Sequence, residues 1–598
     1  MINIDKYSPQ YLLSNIPEIF EIARQYNTLD EFRKRAAEYV HKMQYETADD
    51  FNSINEGIII RIRDCAQVIN QLFTSRSEEK SQFSVAQAIL DIASNVPRPD
   101  LTPAFYAEIL YLFLGLHGRG ARRKFADYHL ATSQMEGREA ALERSLQLDA
   151  LSEEVSKYMC RYADGLDPNS VDRRDKRRDH ILKILNASLS DWYNWKWQYN
   201  NVMRNADKIK QLVNLTPDEA RSLEMARKTK IPFGITPYYL SLMDEDPDLG
   251  RDRAIRAQVL PPLSYTEQVS EYDKKDLSCL DFMREADTSP IDLITRRYPA
   301  ICIFKPFNTC PQICVYCQRN WEIEDAMTPG AMASKKQIAD ALEWIGKHPS
   351  IHEVLITGGD PLGMNDENFE RILAGVAKIP SVERIRIGTR TLVTAPMRIT
   401  ENFVNILEKY RESGKRQIAV VTHIQHPYEL TPDTSKAVER LRSRSISVFN
   451  QLVYTFFVSR RFEASCLRKN LSRIGVEPYY SFNTKGKEET VEYRVPIARL
   501  LQEQKEEARL LPGISRTDEA VYNVPGMGKN YLRARQHRDL ISILPDGTRV
   551  YEFHPWEKNI TRNISTHIGQ DVPILDYLIR LDSAGEDIYD YETIWYYF

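Results

Sequence analysis

Apolar residues recur at mixed spacings of three and four through the first 190 positions, most clearly over 58–72 and 105–116. This pattern predicts a largely helical region with few strands. From about residue 300 the period changes. Short apolar runs at 300–304, 353–357, 384–388, 417–422, 445–449 and 476–482 alternate with charge-rich stretches of helix length. Repeated strand–helix units predict an α/β fold with parallel pairing, and in such units functional residues gather just beyond the carboxyl ends of the strands. Six strands suggest a partial (β/α)6 barrel rather than a full ring of eight. Four divisions are expected: a helical extension of unknown role at 1–190, a second helical segment at 191–295, the barrel at 296–510, and a C-terminal segment at 511–598.

A chain of 598 residues with 42% hydrophobic and 27% charged residues can bury an ample core. Its formal net charge of −4 gives no general attraction to nucleic acid or to an anionic membrane. The run from Asp172 to Asp179 mixes signs and predicts a solvated helix face. The opening residues lack the pattern of a secretory leader, and no uncharged apolar run has the length of a membrane span. Cys65, Cys160, Cys279, Cys302 and Cys466 are scattered, which does not suit a secreted disulfide framework. A reducing cytoplasm is the expectation.

The other three cysteines are clustered. Cys310, Cys314 and Cys317 follow the strand-like run at 300–304 and offer three thiolates, one short of a closed shell. In a four-iron, four-sulfur cluster, three protein ligands leave one iron open for chemistry. A zinc knuckle would want a fourth Cys or His at short spacing. After the run at 353–357 come Gly358, Gly359 and Asp360; glycines at a strand end let backbone approach a ligand closely, and the alternative is an ordinary tight turn. Thr389, Arg390, His423 and Gln451 also follow predicted strand ends. Near the end of the chain, the run from Val524 to Lys529 is a glycine-containing turn presenting a lysine, which can condense with an aldehyde. It lacks the spacing of a phosphate-binding Walker loop.

Residues 191 to about 557 resemble the lysine 2,3-aminomutase family of radical S-adenosylmethionine (SAM) enzymes, which also use pyridoxal 5′-phosphate (PLP). The resemblance runs through 191–198, 235–242, Arg297-Tyr298-Pro299, the cysteine motif, 386–390, Thr422-His423, Asn450-Gln451 and Pro478-Tyr479-Tyr480. It implies a radical SAM barrel, a [4Fe–4S] cluster on Cys310, Cys314 and Cys317, and a SAM pocket at Gly358, Gly359, Asp360, His423 and Gln451. It further implies PLP on Lys529, in a turn one residue shorter than the family's, with Arg297 near the phosphate and Arg319 on the substrate α-carboxylate. Blander readings are surface ion pairs for Arg297 and Arg319, buried satisfied polar groups for His423 and Gln451, and a helix cap for Asp360. The expected partners are an amino acid substrate, an electron donor such as flavodoxin or ferredoxin, and further copies of the chain in a homo-oligomer, with no nucleic acid or membrane.

The far end of the substrate is where this chain departs. Two aspartates grip the side-chain ammonium in lysine-specific members; aligned without gaps, they fall on Lys485 and Asn523. Reversing one contact near 4 Å changes the Coulomb energy by about 4 kcal/mol each way at an effective dielectric of 20. The pair resembles the glutamate 2,3-aminomutases, so L-glutamate to β-glutamate is the expected reaction. A solvated loop over 485–487 is the alternative. Another amino acid such as lysine, or a non-catalytic iron–sulfur protein, are the rival functions. No Cys follows Cys466, so the zinc site that the lysine-specific members build near their C-terminus is not expected.

Overall fold

The computed structural model describes residues 2–46, 56–121, 135–271, 280–484, 488–555 and 566–598. Its centre is a nine-stranded sheet in strict chain order. The strands are β1 (Ile294–Thr295), β2 (Ile301–Phe307), β3 (Glu353–Gly358), β4 (Arg384–Gly388), β5 (Gln417–Thr422), β6 (Ser447–Tyr454), β7 (Glu477–Asn483), β8 (Glu519–Val524) and β9 (Gly528–Tyr531). Strands β2 to β8 run parallel, and short antiparallel strands close the two edges. The six expected strands are all present, and β8 adds a seventh to the parallel set.

Crossover helices α1 (Lys335–Gly346), α2 (Asp366–Ala377), α3 (Glu401–Tyr410), α4 (Pro432–Arg442), α5 (Glu463–Ile474) and α6 (Ile497–Leu510) fill the gaps between the parallel strands. Their starts are written in the sequence: Ser334, Asn365, Thr400 and Thr431 each accept a backbone N–H from the first turn. Alternation along the strands sets the two faces. Val354, Ile356, Ile385, Ile387, Ile418 and Val420 are buried with Phe369, Ile372, Leu373, Phe403 and Leu407 of the helices. The alternate residues, among them Lys305, Thr357, Arg386, Gln451 and Tyr480, are only half-buried and line the concave side.

Strand β6 runs to Tyr454, five residues beyond the predicted end, so Gln451 lies within the strand and not after it. The reason is the pattern itself: Val448, Asn450, Leu452 and Tyr454 are all buried, with Asn450 satisfied by Ile424 N–H and C=O at 2.7 and 2.9 Å. A buried polar residue in the alternation hid the strand's continuation.

Residues 191–260 pack over the carboxyl ends of β3, β4 and β5. Thr236 Oγ1 donates to Thr394 O at 2.5 Å, and Trp192, Tyr238 and Tyr239 share a buried cluster with Val315 and Tyr428. The described part of the N-terminal region is helical and packs against the C-terminal segment. There β10 (Arg538–Ile543), β11 (Arg549–Phe553) and β12 (His567–Gln570) form a small antiparallel sheet. Across this contact the Arg549 guanidinium meets the Glu108 carboxylate at 3.0 Å, both side chains 2% exposed, and Tyr111 stacks on Trp595 at 4.7 Å. No described helix is long and apolar enough to cross a membrane.

Candidate functional site

The cysteine loop leaves the end of β2 and is pinned on every side. Ile313 N–H donates to Gly234 O at 3.2 Å and Val315 N–H to Gln258 O at 3.0 Å, while Met327 N–H reaches Cys310 O at 3.1 Å. Ile313 and Val315 are buried, and Cys310, Cys314 and Cys317 are half-buried residues of the same loop. Burial pushes the Cys310 and Cys314 thiols above their ordinary range, while Arg390 pulls Cys314 the other way. Thiolates in such a place are stable when a cation binds them.

Gly358 and Gly359 stand where two stretches of backbone meet closely. At Gly358 φ is +118°, and a Cβ would sit 3.0 Å from Phe307 O; at Gly359 a Cβ would sit 2.1 Å from Thr309 O. Both face protein backbone. Gly359 N–H donates to Phe307 O and Asp360 N–H to Thr309 O, each at 2.9 Å, so the glycines let the end of β3 lock directly onto the cysteine loop. The Asp360 carboxylate is likewise committed to protein donors. It accepts from Thr389 Oγ1 at 2.7 Å, Arg390 N–H at 2.9 Å, Leu362 N–H at 3.0 Å and Thr391 Oγ1 at 3.1 Å. The cap that was the blander reading of Asp360 is present, and the same carboxylate joins the ends of β3 and β4.

Arg390 carries the largest interaction that residue-by-residue reading missed. Its Nη1 donates to Cys314 Sγ at 2.8 Å, and its Nη2 to Glu429 Oε1 at 2.7 Å and Tyr239 Oη at 3.0 Å. Gln258 Oε1 accepts from Nη2 as well, and from Tyr316 Oη at 3.0 Å. A positive, planar group thus contacts one cysteine directly and is itself held by a fully buried carboxylate. The available signal was an arginine placed directly after a strand end. His423 follows β5, and burial, then Arg390, lowers its pKa to about 4, so the imidazole is neutral near pH 7. Gln451, on β6, supplies a backbone contact to His423.

On the other wall of the barrel, β9 presents Lys529. Its Nζ donates to Tyr298 Oη at 2.9 Å and lies 5.3 Å from the centre of the Tyr480 ring. Burial first, then Arg297 and Arg386, lowers its pKa from 10.5 to about 8. Arg297 is held by Met283 O at 3.0 Å, and Arg386 by Glu353 at 2.8 Å and Tyr479 Oη at 2.8 Å. Asn523 pairs directly opposite Lys529 across β8 and β9, which places their Cβ atoms about 5 Å apart. Lys485 lies outside the described residues. Arg319 is buried, paired with Glu285 at 2.5 Å.

Residues 304–451 match the Radical SAM superfamily. An uncharacterized KamA family protein of Methanocaldococcus jannaschii is 39% identical over 98% of this chain and 97% of its own length. The chain belongs to the KamA family. The match extends through the N-terminal helical region, which the residues alone left without a counterpart. A glutamate 2,3-aminomutase of Clostridioides difficile is 34% identical over 54% of this KamA-family chain and 72% of its own. An L-lysine 2,3-aminomutase of Bacillus subtilis is 35% identical over 52% and 62%.

As a radical SAM protein the chain has use for a [4Fe–4S] cluster and SAM, and the cysteine loop fits the cluster. A single zinc ion would draw its sulfurs to within about 3.8 Å of one another, from Zn–S bonds near 2.3 Å in a tetrahedron. Among the described residues Asp539, Glu552 and His554 bring three potential ligand atoms within 4.8 Å of one another. Three thiols on one loop, one short of zinc's closed tetrahedron, suit a polynuclear centre with an open site. The Asp539 trio is no rival, because Arg76 at 2.7 Å and Lys80 already neutralise Glu552.

Proposed function

We propose that this chain is a radical SAM, PLP-dependent 2,3-aminomutase that converts L-glutamate to β-glutamate. The observation that carries the choice is electrostatic: the charged groups acting on Lys529 are Arg297 and Arg386, both cationic, and the residue across the strand from it is a neutral amide, Asn523. Such surroundings suit anions, a phosphate and a second carboxylate, better than a substrate ammonium.

In this reading Cys310, Cys314 and Cys317 hold the cluster, and the end of β3 with His423 and Gln451 borders the SAM pocket. Lys529 would hold PLP, with Arg297 and Arg386 available to its phosphate, and Arg319 would take the substrate α-carboxylate. Bound there, the cluster and SAM would supply radical initiation, and PLP would supply an aldehyde for the amine and a ring able to delocalise an electron. The residues contribute position and protonation. A lowered pKa keeps a share of Lys529 as the neutral amine that can attack an aldehyde, and Tyr298 Oη fixes where that amine points. Asp360 and Arg390 hold the ends of β3 and β4 against the cysteine loop. Lys485 and Asn523 would receive the substrate side-chain carboxylate.

A panel of single amino acids, incubated anaerobically with reconstituted protein, SAM, PLP and dithionite, tests this. β-Glutamate from glutamate is expected. Turnover of lysine with none of glutamate overturns the substrate, and no PLP on Lys529 after borohydride reduction and peptide mapping overturns the enzyme class. The double variant Lys485→Asp, Asn523→Asp should lose at least about 100-fold in kcat/KM for glutamate; unchanged kinetics would show that this end of the pocket lies elsewhere.

A further inference from the structure

We infer that Glu285 is a positioning residue that grips one edge of the Arg319 guanidinium and leaves the other edge for a single ligand carboxylate; this rests on the functional reading above. Glu285 Oε1 accepts from Arg319 Nη2 at 2.5 Å, and Lys305 Nζ lies 3.5 Å from Glu285 Oε2. Arg319 Nη1, by contrast, is buried and has no hydrogen-bond partner among the described residues. A buried N–H without an acceptor is costly unless something fills the place. The three side chains together carry one net positive charge, which one carboxylate would neutralise. A guanidinium fork engaged on one side and vacant on the other also presents a fixed direction of approach.

Glu285 is itself fixed by a short strap that ties the site together. The Asp281 carboxylate accepts from Glu285 N–H at 2.9 Å and Ala286 N–H at 3.3 Å. Two residues between them reach the rest of the site: Phe282 O accepts from Gly526 N–H at 2.9 Å, in the turn before Lys529, and Met283 O accepts from Arg297 at 3.0 Å. Residues 281–286 therefore bring the lysine turn, the Arg297 side chain and Arg319 to one reference frame. The distance between the carboxylate anchor and the Lys529 amine is set by this strap and not by the barrel alone.

The test measures, by calorimetry on the reconstituted protein, how much tighter an α-amino acid binds than the amine lacking its carboxylate, L-glutamate against 4-aminobutyrate and L-lysine against cadaverine. In wild type the carboxylate is expected to tighten binding; in Glu285→Ala that advantage should fall about 10- to 100-fold. Glu285→Gln keeps an acceptor oxygen toward Nη2 and should stay within about threefold of wild type, which separates positioning from misfolding. PLP retained on Lys529 should be equal in all three proteins. An unchanged carboxylate advantage in Glu285→Ala overturns the inference, and so does an increased one, which would make Glu285 a competitor of the ligand. Binding of lysine but not glutamate overturns the substrate assignment and leaves the Glu285 comparison to be read on the lysine pair; a wild type that binds no amino acid overturns both.

Discussion

The ammonium of Lys529 is buried beside two arginines, and its pKa near 8 is a consequence with a sign. Below pH 8 the amine is charged in both the folded and the unfolded chain, so its burial costs stability fully there. That cost shrinks between about 8 and 10.5 and vanishes above. In protein free of PLP, the rate of PLP capture should rise with pH to a midpoint near 8, followed by the visible absorbance of the product; a midpoint above 10 would show the amine to be solvated. Lys529→Met should raise urea stability of the PLP-free protein at pH 7 and lose that gain by pH 10.5. Gly359→Ala drives a methyl into Thr309 backbone, and the cysteine loop is what must move. Iron content after reconstitution should fall sharply, with a loss of about 1–3 kcal/mol in stability. These glycines were visible in the sequence, but their purpose was not: they open space for a neighbouring loop that lies fifty residues earlier in the chain, and nothing local says so.

Among the elements, the strands of the barrel were the most legible, because each carries an apolar face against a helix and a cap residue marks where the next helix begins. What escaped was the part of each element that serves the site. Strand β6 was cut short at its buried Asn450, and β8 was hidden behind the functional turn that follows it. Arg390 and Glu429 are charges in places where pattern reading expects none, and each is buried because the other is there. The joint between β3 and β4 is similarly made of polar groups. Asp360→Ala would orphan buried donors from Thr389, Thr391, Arg390 and Leu362 at once. A loss of about 2–4 kcal/mol is expected from chemical denaturation, whereas Asp360→Asn, which keeps an acceptor, should lose less. Equal stability of the two variants would show that the carboxylate is solvated and the joint held by other contacts.

At the scale of the whole molecule, the N-terminal helices and the C-terminal sheet share one core, welded by Arg549 to Glu108 and to the carbonyls of Trp595 and Tyr597 at 2.8 and 2.7 Å. Removing one partner strands a buried charge. Glu108→Ala should destabilise by about 3–5 kcal/mol, and an Arg549→Met, Glu108→Leu pair should recover most of it; additive losses in the double variant would show the contact to be solvated. In the sequence each partner is one charge among many, 441 residues apart, so pattern alone does not pair the helical region with the C-terminal sheet. That separation has a consequence during synthesis. At about 5–20 residues per second, the ribosome needs roughly 20–90 s after making Glu108 to deliver Arg549, so the segment translated first waits with its apolar face uncovered and is a natural client for a chaperone that binds nascent chains.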